Sequence, residues 1–315
     1  MSIFFFALGL ELSRELRTGH LTRGRRAIAP VLGAIGGMTA TALGSVVLGF
    51  VIHSGALRRG WGVPMATDVA FTLGVLAVGG RRLAPTVRVF LLTLAITDDV
   101  LSVVVLALVG ATQPRPYGLV ALAVTSVAGV AISRRWPRPG VATVLFVALW
   151  LCFTWANVEP ALAGVIGGVI ASPLITSRRR LERNATRLSV GVVLPLFAIV
   201  AAGLHWSQLA FSGGTGTIIL ATIVIRLVGK TGGITAGVAV ARVIGFKVEP
   251  PITWPLVVVM SLLCAIGFTV PLLFATALFG AHSQLYGAFA VGLFASSAIA
   301  AIVGGSVLYW WRASD

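Results

Sequence analysis

The chain has 315 residues, of which 57% are hydrophobic and 10% are charged, and its formal net charge is +15. Soluble domains carry about 25% charged residues, so this chain has too few polar side chains to cover a water-exposed surface. The composition also excludes an intrinsically disordered chain, which needs low hydrophobicity and high charge. The sequence therefore indicates an integral membrane protein.

Ten apolar segments follow one another along the chain as predicted membrane spans, because about 20 apolar residues cross the hydrocarbon core as a helix. A shorter apolar segment, 2–10, precedes them and is interrupted by Glu11, so we expect it to be the end of a helix that does not span the membrane alone. We predict an all-α polytopic membrane protein with about ten full transmembrane helices and a partial N-terminal one. The predicted spans are approximately 27–52, 61–80, 87–110, 117–133, 141–156, 158–175, 187–204, 216–241, 252–279 and 285–311.

The basic residues are distributed unequally between alternate loops. Of the 24 Lys and Arg residues, 19 lie in one set of loops and 3 in the opposite set. The rule that basic loops stay inside the cell places the richer set in the cytoplasm. Because the arginines are spread over separate short loops rather than clustered on one face, we expect membrane lipid and no nucleic acid as a partner.

Three carboxylates lie in the middle of predicted spans, where a charge costs about 2.5–3.5 kcal/mol. They are Asp68, Asp98 and Asp99, and the cations within a span are Arg226 and Lys230, of which Lys230 is the more central. Serine or threonine would join helices at lower cost, so the carboxylates indicate a function. Adjacent carboxylates repel each other, so we expect one of them to hold a proton unless a cation is nearby. Such a site can exchange protons for a hard cation. The sequence assigns no role to Arg226.

Glycine and proline residues interrupt one span in each half of the chain, at 64–68 and at 265–269. Interrupted helices at corresponding positions of two halves are typical of transporters built from inverted repeats, with the binding site between the repeats. An odd number of spans in each repeat inverts the second repeat relative to the first. We therefore predict a single transporter domain over 1–315, with repeats at approximately 27–110 and 216–311 and linking helices at approximately 117–204.

Five short segments and one residue pair carry a resemblance to a known family, over essentially the whole chain. The segments are 4–16, 62–71, 95–99, 194–198 and 264–269, and the pair is Gly229-Lys230. In this order they resemble the NhaA family of bacterial sodium/proton antiporters, a family with inverted repeats. The resemblance implies an NhaA-like inverted-repeat fold with two broken, crossing helices. It implies electrogenic export of Na+ or Li+ in exchange for H+ by alternating access, for pH and sodium homeostasis, in the bacterial inner membrane.

The resemblance also implies roles for particular residues. Asp98 and Asp99 would bind sodium or protons alternately, with Asp99 as the more central ligand of the transported Na+. Lys230 would pair with Asp98 when sodium is absent. Asp68, next to Thr67, would offset the positive ends of the broken helices, and Lys230 would offset the negative ends. No cofactor and no catalytic residue is expected, because the implied protein is a secondary active transporter and not an enzyme.

Four further residues match positions that the family uses for its pH response near the cytoplasmic funnel. They are Glu11, Arg14, Glu15 and Glu182. For the first three, ordinary ion pairs on a helix surface explain the pattern equally well.

The chain departs from the family at its beginning. It starts within what would be the family's second helix, so we expect the first helix and the extracellular hairpin that the family uses for homodimer contact to be missing. A homodimer would then lack those contacts. Ala201 also stands where the family usually has asparagine.

Two other functions are compatible with carboxylates in a membrane. A passive cation channel lines its pore with acidic residues, and coupled counterflow in vesicles would distinguish the antiporter from it. An intramembrane aspartyl protease places its carboxylates on different helices, one of them in a Gly-x-Gly-Asp motif, and neither Asp68 nor Asp99 has that motif.

Overall fold

The computed structural model describes residues 2, 5–6, 9–10, 13, 27–79, 84–110, 115–135, 139–156, 161–171, 213–246, 248, 252–281 and 283–310. All regular structure in these ranges is helical, and they contain no strand. The all-α prediction is therefore confirmed for the described part of the chain.

The helices follow the apolar segments of the sequence. Three of them begin at a proline, namely Pro85, Pro116 and Pro139, where the missing N–H has no helical partner to lose. A 3-10 turn at Val63–Met65 precedes α3, and a π-helical turn at Ile225–Lys230 joins α8 to α9. The helices are α1 (Ile28–Val51), α2 (Gly55–Arg59), α3 (Val69–Gly79), α4 (Pro85–Gly110), α5 (Pro116–Arg135), α6 (Pro139–Trp155), α7 (Ala161–Ala171), α8 (Gly213–Val224), α9 (Thr231–Val243), α10 (Trp254–Leu263), α11 (Thr269–Phe279) and α12 (Gln284–Trp310).

Within the described ranges, four helices are long and apolar enough to cross a membrane, by length and composition. They cover Ile28–Val51, Pro85–Ala107, Gly214–Val243 and Gln284–Trp310, with lengths of 23 to 30 residues. Shorter apolar helices occupy the other predicted spans, except for the span at 187–204, which lies outside the described residues. Several apolar helices of this kind indicate a multi-pass membrane protein.

The chain divides into two compact units. The first unit consists of Met1–Thr22 and Val103–Ala202. Its α7 packs closely on the helical residues near the N-terminus, because a Cβ at Gly164 would meet Ser2 O and a Cβ at Gly168 would meet Phe6 O. Glycine at these positions allows the two backbones to approach, as is common between membrane helices.

The second unit consists of Arg23–Ser102 and Gly203–Asp315. Its hydrophobic core is formed by buried residues of α1, α3, α4, α9, α10 and α12. Glycines bring α1 and α9 together, since a Cβ at Gly233 would lie 2.5 Å from both Gly36 O and Ala40 Cβ. The small-residue pattern of the sequence thus corresponds to backbone contact in this unit.

Two segments without α-helix interrupt the second unit, close to the interruptions that the sequence predicts at 64–68 and 265–269. The first break comprises residues 63–68, where the 3-10 turn is followed by three non-helical residues before α3. The second break comprises residues 264–268, between α10 and α11. Inside a membrane, backbone N–H and C=O groups that are not in a helix need other hydrogen-bond partners. The residues that bond to the two breaks therefore define the candidate site.

Candidate functional site

The two breaks hydrogen-bond to each other. The N–H of Asp68 donates to Ile266 O at 2.9 Å, and the Thr67 hydroxyl donates to Cys264 O at 2.7 Å. In a continuous helix these backbone groups would bond within the helix, whereas here carbonyls of the second break accept hydrogen bonds from the first. The two breaks consequently form one connected structure.

Asp98 lies in the middle of α4 and is completely buried. Its Oδ1 is 2.6 Å from Lys230 Nζ, and its Oδ2 accepts a hydrogen bond of 2.8 Å from the N–H of Thr67. Lys230 also donates to Met65 O. Breaking such a pair by removing one partner leaves an uncompensated buried charge, which is strongly destabilising. Asp98 and Lys230 are therefore brought together at the first break.

Asp68 lies at the end of the first break and caps the helix that follows the second. Its Oδ2 accepts from the Thr269 hydroxyl at 2.8 Å and from the Thr269 N–H at 3.3 Å. Thr269 is the first residue of α11, where backbone N–H groups have no helical acceptor and the helix dipole favours a negative charge. A carboxylate thus accepts from a backbone N–H at each break, Asp98 from Thr67 within the first break and Asp68 from Thr269 directly after the second.

Asp99 is also completely buried, one residue beyond Asp98 on α4. Successive residues of a helix point about 100° apart, so the two carboxylates face different directions. Asp99 is therefore a second buried carboxylate, next in sequence to the one that pairs with Lys230.

Arg226, to which the sequence assigned no role, is part of this site. Its side chain is completely buried and makes four hydrogen bonds to backbone carbonyls. Nη1 donates to Pro64 O at 2.9 Å and to Ala66 O at 3.1 Å. Nε and Nη2 donate to Ala265 O at 3.1 and 2.7 Å. The sequence contained one indication of this role: Arg226 is a second cation four residues before Lys230, and residues with this spacing are neighbours on a helix face.

The π-helical turn at Ile225–Lys230 carries both buried cations. A π-helical turn widens the helix locally and is frequent at functional sites. The five charged side chains of the site are Asp68, Asp98, Asp99, Arg226 and Lys230, all of them buried. If all five are ionised, three negative charges face two positive ones. One additional sodium ion or proton would balance the charge of this set.

The residues proposed for the pH response lie outside the described part of the chain. These are Glu11, Arg14, Glu15 and Glu182, and Ala201 and the segment 194–198 lie there too.

Comparison with known proteins identifies the family. The family model described as Na+/H+ antiporter 1 matches residues 1–308. The Na(+)/H(+) antiporter NhaA of Nocardia farcinica is 37% identical over 285 residues, which cover 87% of this chain and 68% of the relative. The Na(+)/H(+) antiporter NhaA 2 of Novosphingobium aromaticivorans is 36% identical over 322 residues, covering 98% of this chain and 80% of the relative. The NhaA antiporter of Yersinia enterocolitica is 35% identical over 316 residues, with the same coverage.

These relatives are named antiporters, which are transporters rather than enzymes. A match over nearly the whole chain, together with several apolar helices, makes this a multi-pass membrane protein. The chain belongs to the Na+/H+ antiporter 1 family, which includes the NhaA antiporters.

Proposed function

We propose that this protein exchanges Na+ for H+ at Asp98 and Asp99, as a secondary active transporter that works by alternating access. The observation that carries the proposal is the buried ion pair between Lys230 and Asp98 at the first break, with Asp99 beside it on α4. Sodium that binds at Asp98 would compete with the ammonium group of Lys230, which is 2.6 Å from Oδ1 of this carboxylate. An exchanger needs such competition, because one ion must leave the site before the other binds.

Sodium binding would use oxygen ligands, which hard cations prefer. Asp98 Oδ1 faces Lys230, and Asp98 Oδ2 faces the N–H of Thr67. A sodium ion that reaches the two carboxylates would displace the ammonium group of Lys230 from Asp98. The ammonium group would then have lost its counter-charge and would keep Met65 O as a partner.

Protons would compete for the same oxygens. A protonated carboxylate is a poor ligand for sodium, because metal binding requires the deprotonated group. Sodium and protons would thus occupy the site in turn. Exchange would follow from this single occupancy once the site opens alternately to the two sides of the membrane.

Thr67, Asp68 and Lys230 would compensate the partial charges of the broken helices. Asp68 accepts from the first N–H and the hydroxyl of α11, Thr67 bonds Cys264 O at the end of α10, and Lys230 bonds Met65 O. Helix N-termini are partly positive and C-termini partly negative, so these contacts have the stabilising sign. These contacts would stabilise the helix ends at both breaks inside the membrane, where water is not available as a partner.

Several finer properties belong to the same proposal. The cation is Na+ or Li+, and the exchange is electrogenic, because the number of protons would exceed the number of cations. The protein would serve pH and sodium homeostasis in the bacterial inner membrane. Glu11, Arg14, Glu15 and Glu182 would take part in the pH response.

The test is transport by the purified protein in proteoliposomes. Addition of Na+ or Li+ to vesicles with an imposed pH gradient should dissipate the gradient, and a membrane potential should change the rate if exchange is electrogenic. Sodium flux without coupled proton movement would instead indicate a passive channel. The absence of any sodium-dependent proton movement in correctly oriented vesicles would overturn the proposal.

A further inference from the structure

Arg226 holds the two breaks from a third part of the chain. Its guanidinium donates to Pro64 O and Ala66 O in the first break and to Ala265 O in the second. A guanidinium is planar and has five N–H donors in a fixed arrangement, so one side chain can bind several carbonyls in defined directions. Lys230, on the same π-helical turn, binds Met65 O and Asp98. The two cations therefore have different sets of partners.

One of the carbonyls that Arg226 binds belongs to the peptide group that also binds Asp98. The C=O of Ala66 and the N–H of Thr67 form a single peptide unit. Its oxygen accepts from Arg226 Nη1 at 3.1 Å, and its N–H donates to Asp98 Oδ2 at 2.8 Å. Because a peptide unit is planar and its oxygen and hydrogen point in opposite directions, restraining the oxygen also restrains the N–H.

Space for the guanidinium depends on Gly267 in the second break. A Cβ at this position would overlap Arg226 Nη2 and would lie 2.6 Å from Ala66 O. The backbone of Gly267 is itself held by the Ser297 hydroxyl, which accepts from its N–H and donates to its C=O, each at 3.1 Å. Arg226 is thus enclosed between the two breaks with little freedom to move.

We infer that Arg226 is a positioning residue for sodium binding: it orients the peptide unit between Ala66 and Thr67, and through it the carboxylate of Asp98. A guanidinium keeps its charge at physiological pH, so this restraint persists while Lys230 and the transported ion alternate at Asp98. The inference rests on the proposed function where it concerns sodium, and on the hydrogen bonds alone where it concerns Asp98.

Two substitutions disturb this geometry while retaining the charge. Arg226→Lys keeps a cation but replaces the planar group by one that cannot bind the three carbonyls in the same directions. Gly267→Ala leaves Arg226 in place but introduces a methyl group that the guanidinium must avoid. Arg59→Met is the control, because Arg59 is exposed at the end of α2.

The first measurement is a double-mutant cycle of thermal stability in sodium-free detergent solution. Arg226→Lys and Asp98→Asn should give non-additive losses, because the two residues act on the same peptide unit. Gly267→Ala combined with Asp98→Asn should also give non-additive losses. This second cycle tests the inference if Arg226→Lys does not fold. Additive losses in both cycles would overturn the inference, whatever the protein transports.

The second measurement is the sodium concentration that produces half of the sodium-dependent rise in Tm. Arg226→Lys should raise this concentration by about tenfold, because a misoriented ligand binds less tightly even when the protein is folded. Arg59→Met should leave it unchanged. An unchanged value in Arg226→Lys would mean a purely structural role and would overturn the inference. A wild-type protein without any sodium-dependent rise would contradict the proposed function instead, and the first measurement would still decide the role of Arg226.

Discussion

Lys230 and Asp98 form a completely buried ion pair, in which Nζ and Oδ1 are 2.6 Å apart across 132 positions of the sequence. The pair does not stand alone, because each partner is also bonded to the first break, Lys230 through Met65 O and Asp98 through the N–H of Thr67. A change of partner at Asp98 would therefore act on the first break.

The first prediction concerns Asp99. Asp99→Asn should abolish sodium-driven proton movement while the protein still inserts and folds, because the change removes the proposed ligand and proton site together with a costly buried charge. The measurement is exchange in proteoliposomes, normalised to folded protein. Thr97→Val on the same helix is the control, since the Thr97 hydroxyl bonds only to Thr93 O among the described contacts. Full exchange by Asp99→Asn would contradict the assignment of the site.

The second prediction concerns the ion pair. Lys230→Ala should lower the free energy of unfolding in detergent by about 3–5 kcal/mol, because Asp98 is then left buried without its cation. Asp98→Asn in the same chain should recover part of this loss. A double-mutant cycle on the purified variants measures the recovery, and strictly additive losses would mean that the pair contributes no coupling.

The third prediction concerns pH. If Asp98 and Asp99 bind sodium and protons in turn, as proposed, the apparent sodium affinity should rise with pH until protons no longer compete for these carboxylates. If one proton competes with one sodium ion, the half-saturating sodium concentration should fall by about tenfold for each pH unit on the acidic side. Exchange in proteoliposomes at varied sodium across a pH series provides this value. A half-saturating concentration that stays constant while only the maximal rate changes would assign the pH dependence to a separate gate.

The fourth prediction concerns the cap on α11. Asp68→Val should destabilise the protein by about 0.5–2 kcal/mol through loss of the acceptor for the first N–H of α11. Asp68→Asn retains an acceptor oxygen and should lose less. Thermal unfolding of both variants in detergent compares them, and equal losses would show that the charge and not the hydrogen bond stabilises this helix end.

The fifth prediction concerns the contact between α1 and α9. A methyl group at Gly233 would lie 2.5 Å from Gly36 O, so Gly233→Ala should cost about 1–3 kcal/mol of stability. Gly232→Ala is the matched control on the adjacent position, which is exposed and has no atom within 4 Å of an added Cβ in the described structure. The control should be at least as stable as the wild type, because alanine favours helix over glycine. Equal behaviour of the two variants would argue against close packing here.

The sequence alone determined the properties that are local along the chain. Composition identified a membrane protein, because so few charged side chains cannot cover a water-exposed surface. Pro64 and Gly267 marked the breaks, because proline and glycine disfavour helix wherever they occur. A charge within an apolar segment is costly in any fold, which made four residues candidates for the site: Asp68, Asp98, Asp99 and Lys230.

Only the tertiary structure decided how these groups are paired. Arg226 bonds to Pro64 O and Ala66 O, which lie 162 and 160 residues earlier in the chain. Every residue has a backbone carbonyl, so no pattern of side chains could indicate which carbonyls a buried arginine would meet. The same holds for the π-helical turn, which depends on backbone bonds and on the contacts of its two cations. The sequence could therefore identify the charges of the site, whereas their partners depend on distances that exist only once the two breaks have come together.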